Sequence, residues 1–371
     1  MSENNNQEFF FELLKAGLWR KDVQLLQYRG IDFSEVYQLA REQSVVGLIA
    51  EGLENVQDVK VPQSLALTIA GEVLQLEQRN KAMNAFIATL LENMRIAGIN
   101  TLLVKGQGIA QCYKKPLWRS SGDVDLFLND ENYAKAKEFL QPLASSVEEE
   151  YVRVKHLGMT IDGWVVELHG HLYSGLSSRV EKELDQLQAD TFYSGQVRSW
   201  MNGQTQIFQL KAENDAFYVF THILQHFYKG GIGLRQICDW CRLLYTFKKS
   251  LNYGLLEHRI KRAGLITEWK AFAALAVDYL GMPVDAMPFY SDSDKWKKKA
   301  ERIMEFVMMS GNFGQNRDSS YMRYPFFVRK CFSMGRRIGD LISHARIFPL
   351  DSMRFFPRIM FNGIRSAVRG K

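Results

Sequence analysis

The chain has 371 residues, 46% apolar and 24% charged, which excludes a disordered chain and is too long for one small core, so two or three packed units are expected. Its 47 Lys+Arg against 41 Asp+Glu are a modest excess, unevenly placed: about 17 basic but only about 5 acidic residues lie from Lys295 onward. Four cysteines do not make a disulfide framework, and residues 1–7 show neither the basic nor the apolar region of an export signal; no run approaches the roughly 18 apolar residues of a membrane span, so a cytoplasmic location is expected.

Residues 6–98 read as helical. Phe9, Phe10, Leu13 and Leu14 recur at helical spacing, as do Val45, Leu48, Ile49 and Leu53, and then Leu65, Leu67, Ile69, Val73 and Leu76. The stretch 64–97 has no proline and reads as one long helix or two in tandem, ended at Gly98. The character then changes. Residues 101–104 form a short apolar strand, 106–113 suit a helix start, and Lys114-Lys115-Pro116 breaks it. Residues 124–128 are a second strand, and Asn129 or Asp130 is placed to cap a helix over 131–140. Residues 151–161 and 164–168 read as a hairpin turning at Asp162-Gly163. Helical patterns return over 212–228, 234–247, 253–263 and 266–280. The last stretch is basic, aromatic and interrupted by Pro325, Pro349 and Pro357.

The chemistry concentrates at Asp123 and Asp125, within Ser120-Ser121-Gly122-Asp123-Val124-Asp125-Leu126. In a strand the side-chain period is two, so both carboxylates leave the same face. Two like charges beside a core repel and lose hydration, and a divalent cation is the usual compensation. Glu167, on the later strand, supplies a third acid. Nucleotidyl transfer uses this set: two Mg2+ ions roughly 3.5–4 Å apart stabilise the attacking and leaving oxygens at the α-phosphorus, and hard oxygen ligands suit Mg2+. Glu167 could also act as general base if it reaches the hydroxyl. Lys105-Gly106 ends the first strand, where glycine lets backbone approach a phosphate. Arg119 could grip a triphosphate oxygen, with Ser120, Ser121 and Gly122 adding hydroxyl and backbone donors. The bland alternative is an ordinary surface Asp-x-Asp with Lys105 and Arg119 as solvated charges.

These residues carry a resemblance. Leu103-Val104-Lys105-Gly106, Pro116-x-x-Arg119, Gly122-Asp123-Val124-Asp125-Leu126 and Val166-Glu167-Leu168-His169 are similar to the uncharacterised nucleotidyltransferase family of the DNA polymerase beta-like superfamily. The likeness extends over about residues 30–250, with His222-x-x-x-His226 and the segment around Asp239 resembling its helical half. It implies an α+β protein: a small mixed β-sheet core flanked by helical N-terminal and C-terminal regions. The divisions expected are a helical region over 1–98, the nucleotidyltransferase-like core over 99–209, a helical region over 210–294 and a basic aromatic helical tail over 295–371. It further implies Mg2+, with Mn2+ as substitute, and a nucleoside triphosphate such as ATP as substrate, with Asp123, Asp125 and Glu167 as catalytic and metal-binding acids. The first turn departs from the superfamily's Gly-Ser or Gly-Gly, having Lys105-Gly106-Gln107-Gly108.

Other patterns compete. Gly106-x-Gly108-x-x-Gln111 lacks the third glycine of a dinucleotide fingerprint. His222, His226, Cys238 and Cys241 have ligand types that suit zinc, yet both pairs fall in helices with apolar neighbours. His226 and Asp239 could instead line the cleft opposite the acids. His169 and His171 read equally as substrate contacts or strand-end histidines. In the tail, Met308, Met309, Phe326, Phe327, Phe332, Phe355, Phe356 and Phe361 interleave with Arg329, Lys330, Arg336, Arg337, Arg354, Arg358 and Arg365. That pattern fits nucleic acid, an anionic membrane surface or a packed helical subdomain. The reading is a metal-dependent transfer of a nucleoside monophosphate to an unknown hydroxyl or phosphate acceptor. The alternative is a catalytically inactive module that binds a nucleotide or a polymer through the same pocket and the tail.

Overall fold

A computed structural model describes residues 2–195, 197–314, 316 and 323–368. Four helices come first: α1 (Ser2–Trp19), α2 (Phe33–Glu42), α3 (Val46–Leu53) and the single long α4 (Gln63–Ile96). Asp32 starts α2 by accepting hydrogen bonds from the amides of Ser34 and Glu35. Gly17 and Gly52 let α1 and α3 cross closely: a Cβ on Gly17 would lie 2.0 Å from the Leu48 carbonyl oxygen, and one on Gly52 2.1 Å from that of Leu13.

The sheet follows. Strands β1 (Leu102–Val104), β2 (Asp123–Phe127), β3 (Ser146–Val147), β4 (His156–Ile161) and β5 (Trp164–His169) lie in the order β1-β2-β5-β4-β3. β2 and β5 are parallel, and the other pairings are antiparallel. The expected hairpin is β4–β5. Its turn residues Asp162 and Gly163 have φ of 49° and 79°, the left-handed pair that a two-residue turn matching strand twist demands. The first hairpin strand is shorter than expected, because residues 152–154 coil into a 3-10 turn. Between β1 and β2 lies the short α5 (Gly106–Ala110), and α6 (Asp130–Leu140) follows β2, capped by Asn129. Three elements, one helix and two strands, lie beyond what the sequence leads one to expect. Helix α7 (Ser178–Tyr193) is capped by Ser177, and strands β6 (Val197–Asn202) and β7 (Thr205–Leu210) form a separate two-stranded sheet.

The C-terminal helices are α8 (Ala212–Lys229), α9 (Leu234–Phe247), α10 (Tyr253–Ala263), α11 (Ile266–Asp278), α12 (Asp294–Ser310), α13 (Phe326–Ile347) and α14 (Pro349–Val368). Pro325 and Pro349 sit at helix starts, but Pro357 lies inside α14. A proline there removes a hydrogen bond to the carbonyl four residues earlier; that residue, Met353, is exposed, so water can satisfy it.

Alternation sorts the sheet's two faces. Val124, Leu126, Leu157, Met159, Val166 and Leu168 point one way into a core with Met83, Ile87 and Leu91 of α4 and Tyr133 and Ala136 of α6. The opposite face carries the polar residues and meets the larger core, which the N-terminal and C-terminal helices share. Trp240 and Trp269 are fully buried in that core. The tail is partly built into it: Phe348 and Phe355 are buried, and Phe355 lies edge-on to Tyr228 of α8 at 5.0 Å. Phe332 and Phe361 are exposed, while the side chains of Phe326, Phe327, Lys330, Arg358 and Arg365 lie outside the described residues.

Candidate active site

Register brings the three acids together. Asp125 of β2 lies directly beside Glu167 of the parallel β5, and Asp123 is two residues away on the same face. One ligand atom from each of Asp123, Asp125 and Glu167 lies within 4.8 Å of the others. The donor set is three hard carboxylates with one nearby lysine, which fits a divalent cation held by oxygen.

Lys105 ends β1 and its ammonium lies 2.7 Å from Asp125 Oδ1. Its backbone has φ 56° and ψ −148°, a combination that non-glycine residues avoid and that costs about 1–3 kcal/mol. Gly106 follows with φ 41°, and the two residues turn the chain from β1 into α5. Gly108 packs so tightly that a Cβ there would lie 1.9 Å from Gln209 Nε2. β1 pairs antiparallel with β2 instead of entering a parallel β-α-β unit, so Gly106-x-Gly108 does not serve as a dinucleotide turn.

Histidines complete the sheet face. His169 Nε2 lies 2.8 Å from Asp125 Oδ1 and 3.5 Å from Glu167 Oε2, and His156 Nε2 of β4 lies 3.2 Å from the same Glu167 oxygen. Ionised carboxylates only accept, so these ring nitrogens donate. The charges follow. Repulsion from Asp125, then burial, raises the Asp123 pKa. Burial pushes Asp125 up, but the Lys105 charge and the His169 hydrogen bond outweigh it and leave it lowered. Hydrogen bonds from His156 and then His169 hold Glu167 far below the usual carboxylate range. Burial works against the charged form of His169, yet its bonds to Asp125 and Glu167 raise its pKa overall.

A cleft opens onto Asp123 and Asp125; Glu167 lies beside them on β5 but does not line it. Lys105, Gly106, Arg119, Asp123 and Asp125 form one side; Val219, His222 and Ile223 of α8 and Arg235, Gln236 and Asp239 of α9 form the other. A cavity bounded by Arg95, Asn100, Asn132 and Gln206 holds more water-accessible space, but none of the three acids lines it.

Arg119 is buried and engaged. Its Nε and Nη2 reach the two carboxylate oxygens of Asp239 at 2.8 and 2.6 Å, and Nη1 donates to Ser120 O and Ser121 Oγ. Tyr113 also donates to Asp239. Ser120, Ser121 and Gly122 form the loop into β2, outside the cleft lining. Asn80 of α4, which sequence reasoning missed, donates to the carbonyls of Leu117 and Arg119 and accepts from Gln107, so one amide pins both the loop and α5. Arg235, also missed, lies in the cleft wall and donates to Ser120 O at 3.2 Å. Burial, then the Arg119 charge, lowers its pKa.

His222 lines the cleft and His226 pairs with it, Nε2 to Nε2, at 3.1 Å. Burial first, then the Lys105 charge, depresses both, His226 to about 4. Cys238 and Cys241 are fully buried in α9, and burial raises both thiols. Neither cysteine belongs to a ligand cluster among the described residues. His171 lies 3.1 Å from Asp185 of α7.

A mixed sheet with three acids on one face, beside a cleft whose helical wall carries Arg235, suits a transferase that handles phosphate. The chain belongs to the family described as uncharacterised nucleotidyltransferase, which it matches over residues 29–281. No curated protein and no solved structure matches it. No described helix is long and apolar enough to cross a membrane.

Proposed function

We propose that the chain moves a nucleoside monophosphate from a nucleoside triphosphate to a hydroxyl or phosphate acceptor, with Asp123, Asp125 and Glu167 holding Mg2+. The observation that carries this is the side-by-side register of Asp125 and Glu167, which gathers acids from two strands within 4.8 Å of one another, next to the cleft that Asp123 and Asp125 line. Bound there, Mg2+ would supply Lewis-acid stabilisation to the attacking and leaving oxygens. The chain's own residues do the rest. Lys105 and Arg235 place positive charge on opposite sides of the cleft for phosphate oxygens. His169 ties Asp125 to Glu167 and fixes their orientation. Arg119 acts through Asp239, holding the loop of Ser120, Ser121 and Gly122 in register with β2.

The test is pyrophosphate release from a panel of triphosphates with Mg2+ or Mn2+, in the presence of a cell-lysate fraction that supplies hydroxyl and phosphate acceptors. Wild type releases pyrophosphate, and Asp125→Asn abolishes the release; equal release by both proteins would remove the enzyme claim. A second reading is a nucleotide-binding module without turnover. It is favoured by the engagement of Lys105 with Asp125 and of Arg119 with Asp239. Mg2+-dependent nucleotide binding with no pyrophosphate from any acceptor mixture would establish it.

A further inference from the structure

The ligand-bearing face does not stop at Glu167. It continues onto β4, where His156 pairs with His169 and Gly158 pairs with Glu167. Directly opposed residues of antiparallel strands share a face, so His156 and Gly158 lie beside His169 and Glu167. Ligand atoms of His156, Glu167 and His169 lie within 4.8 Å of one another. Both imidazoles direct Nε2 at the same oxygen, Glu167 Oε2, at 3.2 and 3.5 Å. Their ring centroids are 4.8 Å apart. The missing side chain at Gly158 leaves room for a further carboxylate: Glu148 Oε2 would be 2.7 Å from a Cβ built there.

We propose that His156, Glu167 and His169 form a second cation site that takes a divalent transition ion, sharing Glu167 with the oxygen-only site. Two imidazoles and one carboxylate match the ligand softness of Zn2+ or Co2+, whereas Mg2+ prefers oxygen alone. Three protein ligands leave coordination positions for water or substrate oxygen. In the metal-free chain, His156 Nε2 donates to Glu167 and His169 Nε2 to Asp125, with Glu167 further off at 3.5 Å. An ion in the second site would take His169 Nε2 from Asp125, leaving Lys105 and the first ion to balance that carboxylate. The active face would then accept two chemically different ions, one held by oxygen and one by nitrogen and oxygen. This inference rests on the proposed role of Glu167 but not on Asp123.

The probe is Co2+, read by its visible absorption in the full chain, alongside Mg2+-dependent triphosphate binding by calorimetry. Wild type is expected to develop an intense d–d band. His156→Ala, whose side chain is 25% exposed and whose fold is checked by thermal melting, should weaken Co2+ binding by roughly tenfold or more. Asp123→Asn should keep the band while losing Mg2+-dependent triphosphate binding. A weak, oxygen-type spectrum, or an affinity that His156→Ala leaves unchanged, overturns the second site; intact Mg2+-dependent binding in the same sample would leave the carboxylate reading standing. An intense band in a protein with no Mg2+-dependent binding would do the opposite.

Discussion

Lys105 lies at the centre of the site's electrostatics. It is the cation closest to Asp125, whose side chain is only 2% exposed, and its strained backbone holds it there. Removing one partner of a buried pair leaves the other charge uncompensated, at a cost of about 3–5 kcal/mol. Lys105→Met should therefore destabilise the metal-free protein by an amount in that range, softened by His169. Millimolar Mg2+ should restore part of the loss if the acids hold a cation; a urea melt unaffected by Mg2+ would count against them. His226 offers a pH test. Burial depresses it to about 4 from an ordinary value of 6.5, so between those values the unfolded chain binds the extra proton. Its neutral form stabilises the fold fully above about pH 6.5, and that contribution drains away as pH falls towards 4. Wild type should lose more stability than His226→Gln between about pH 7 and pH 5, as compared by thermal melting. Parallel pH profiles would show that His226 is not held neutral. At this scale the Asp-x-Asp spacing was legible, because a period of two needs only a strand. The partners of Arg119 and the place of His156 were not, since they depend on α9 and β4 meeting residues far away in the chain.

The helices position the site through close backbone contacts. Gly47 of α3 is the clearest case: a Cβ there would lie 2.0 Å from the Trp118 carbonyl oxygen. That carbonyl belongs to the turn leading into Arg119 and β2. Gly47→Ala should therefore cost about 1–3 kcal/mol by overpacking and weaken nucleotide binding, although residue 47 touches none of the acids. Calorimetry and a denaturant melt check both effects; wild-type values in each would contradict this placement. Long periodic elements such as α4 and α9 were readable because their apolar positions repeat over several turns. The Asp162-Gly163 turn was readable from its residue types. The β6–β7 hairpin carried the same kind of signal, Asn202-Gly203, with Gly203 at φ 64°. It went unread because its strands mix Arg198, Ser199 and Gln206 with apolar residues. Helix α7 was hidden similarly by many charged positions around Val180, Leu184 and Leu187.

Across the whole molecule, the N-terminal and C-terminal helices share one core, and Asp123 and Asp125 open where the sheet meets α8 and α9. Composition and periodicity could place helical stretches on both sides of a small sheet, but not show that both stretches would close over it. The tail belongs to the same body through Phe348 and Phe355, while Phe332, Ile338, Ile342, Leu350 and Met353 are exposed among its basic residues. Deleting it would uncover core, so charge reversal is the cleaner probe. Arg337→Glu should cut low-salt retention on anionic vesicles or RNA; unchanged retention would count against the tail as an anionic docking surface. The central claim is narrower: side chains from β2 and β5 form one cation site. Glu167→Gln tests it most directly, because this acid alone comes from the second strand. Calorimetry should show Mg2+-dependent triphosphate binding in wild type and its loss in Glu167→Gln, with both proteins equally folded. Binding as tight in Glu167→Gln as in wild type would contradict the account.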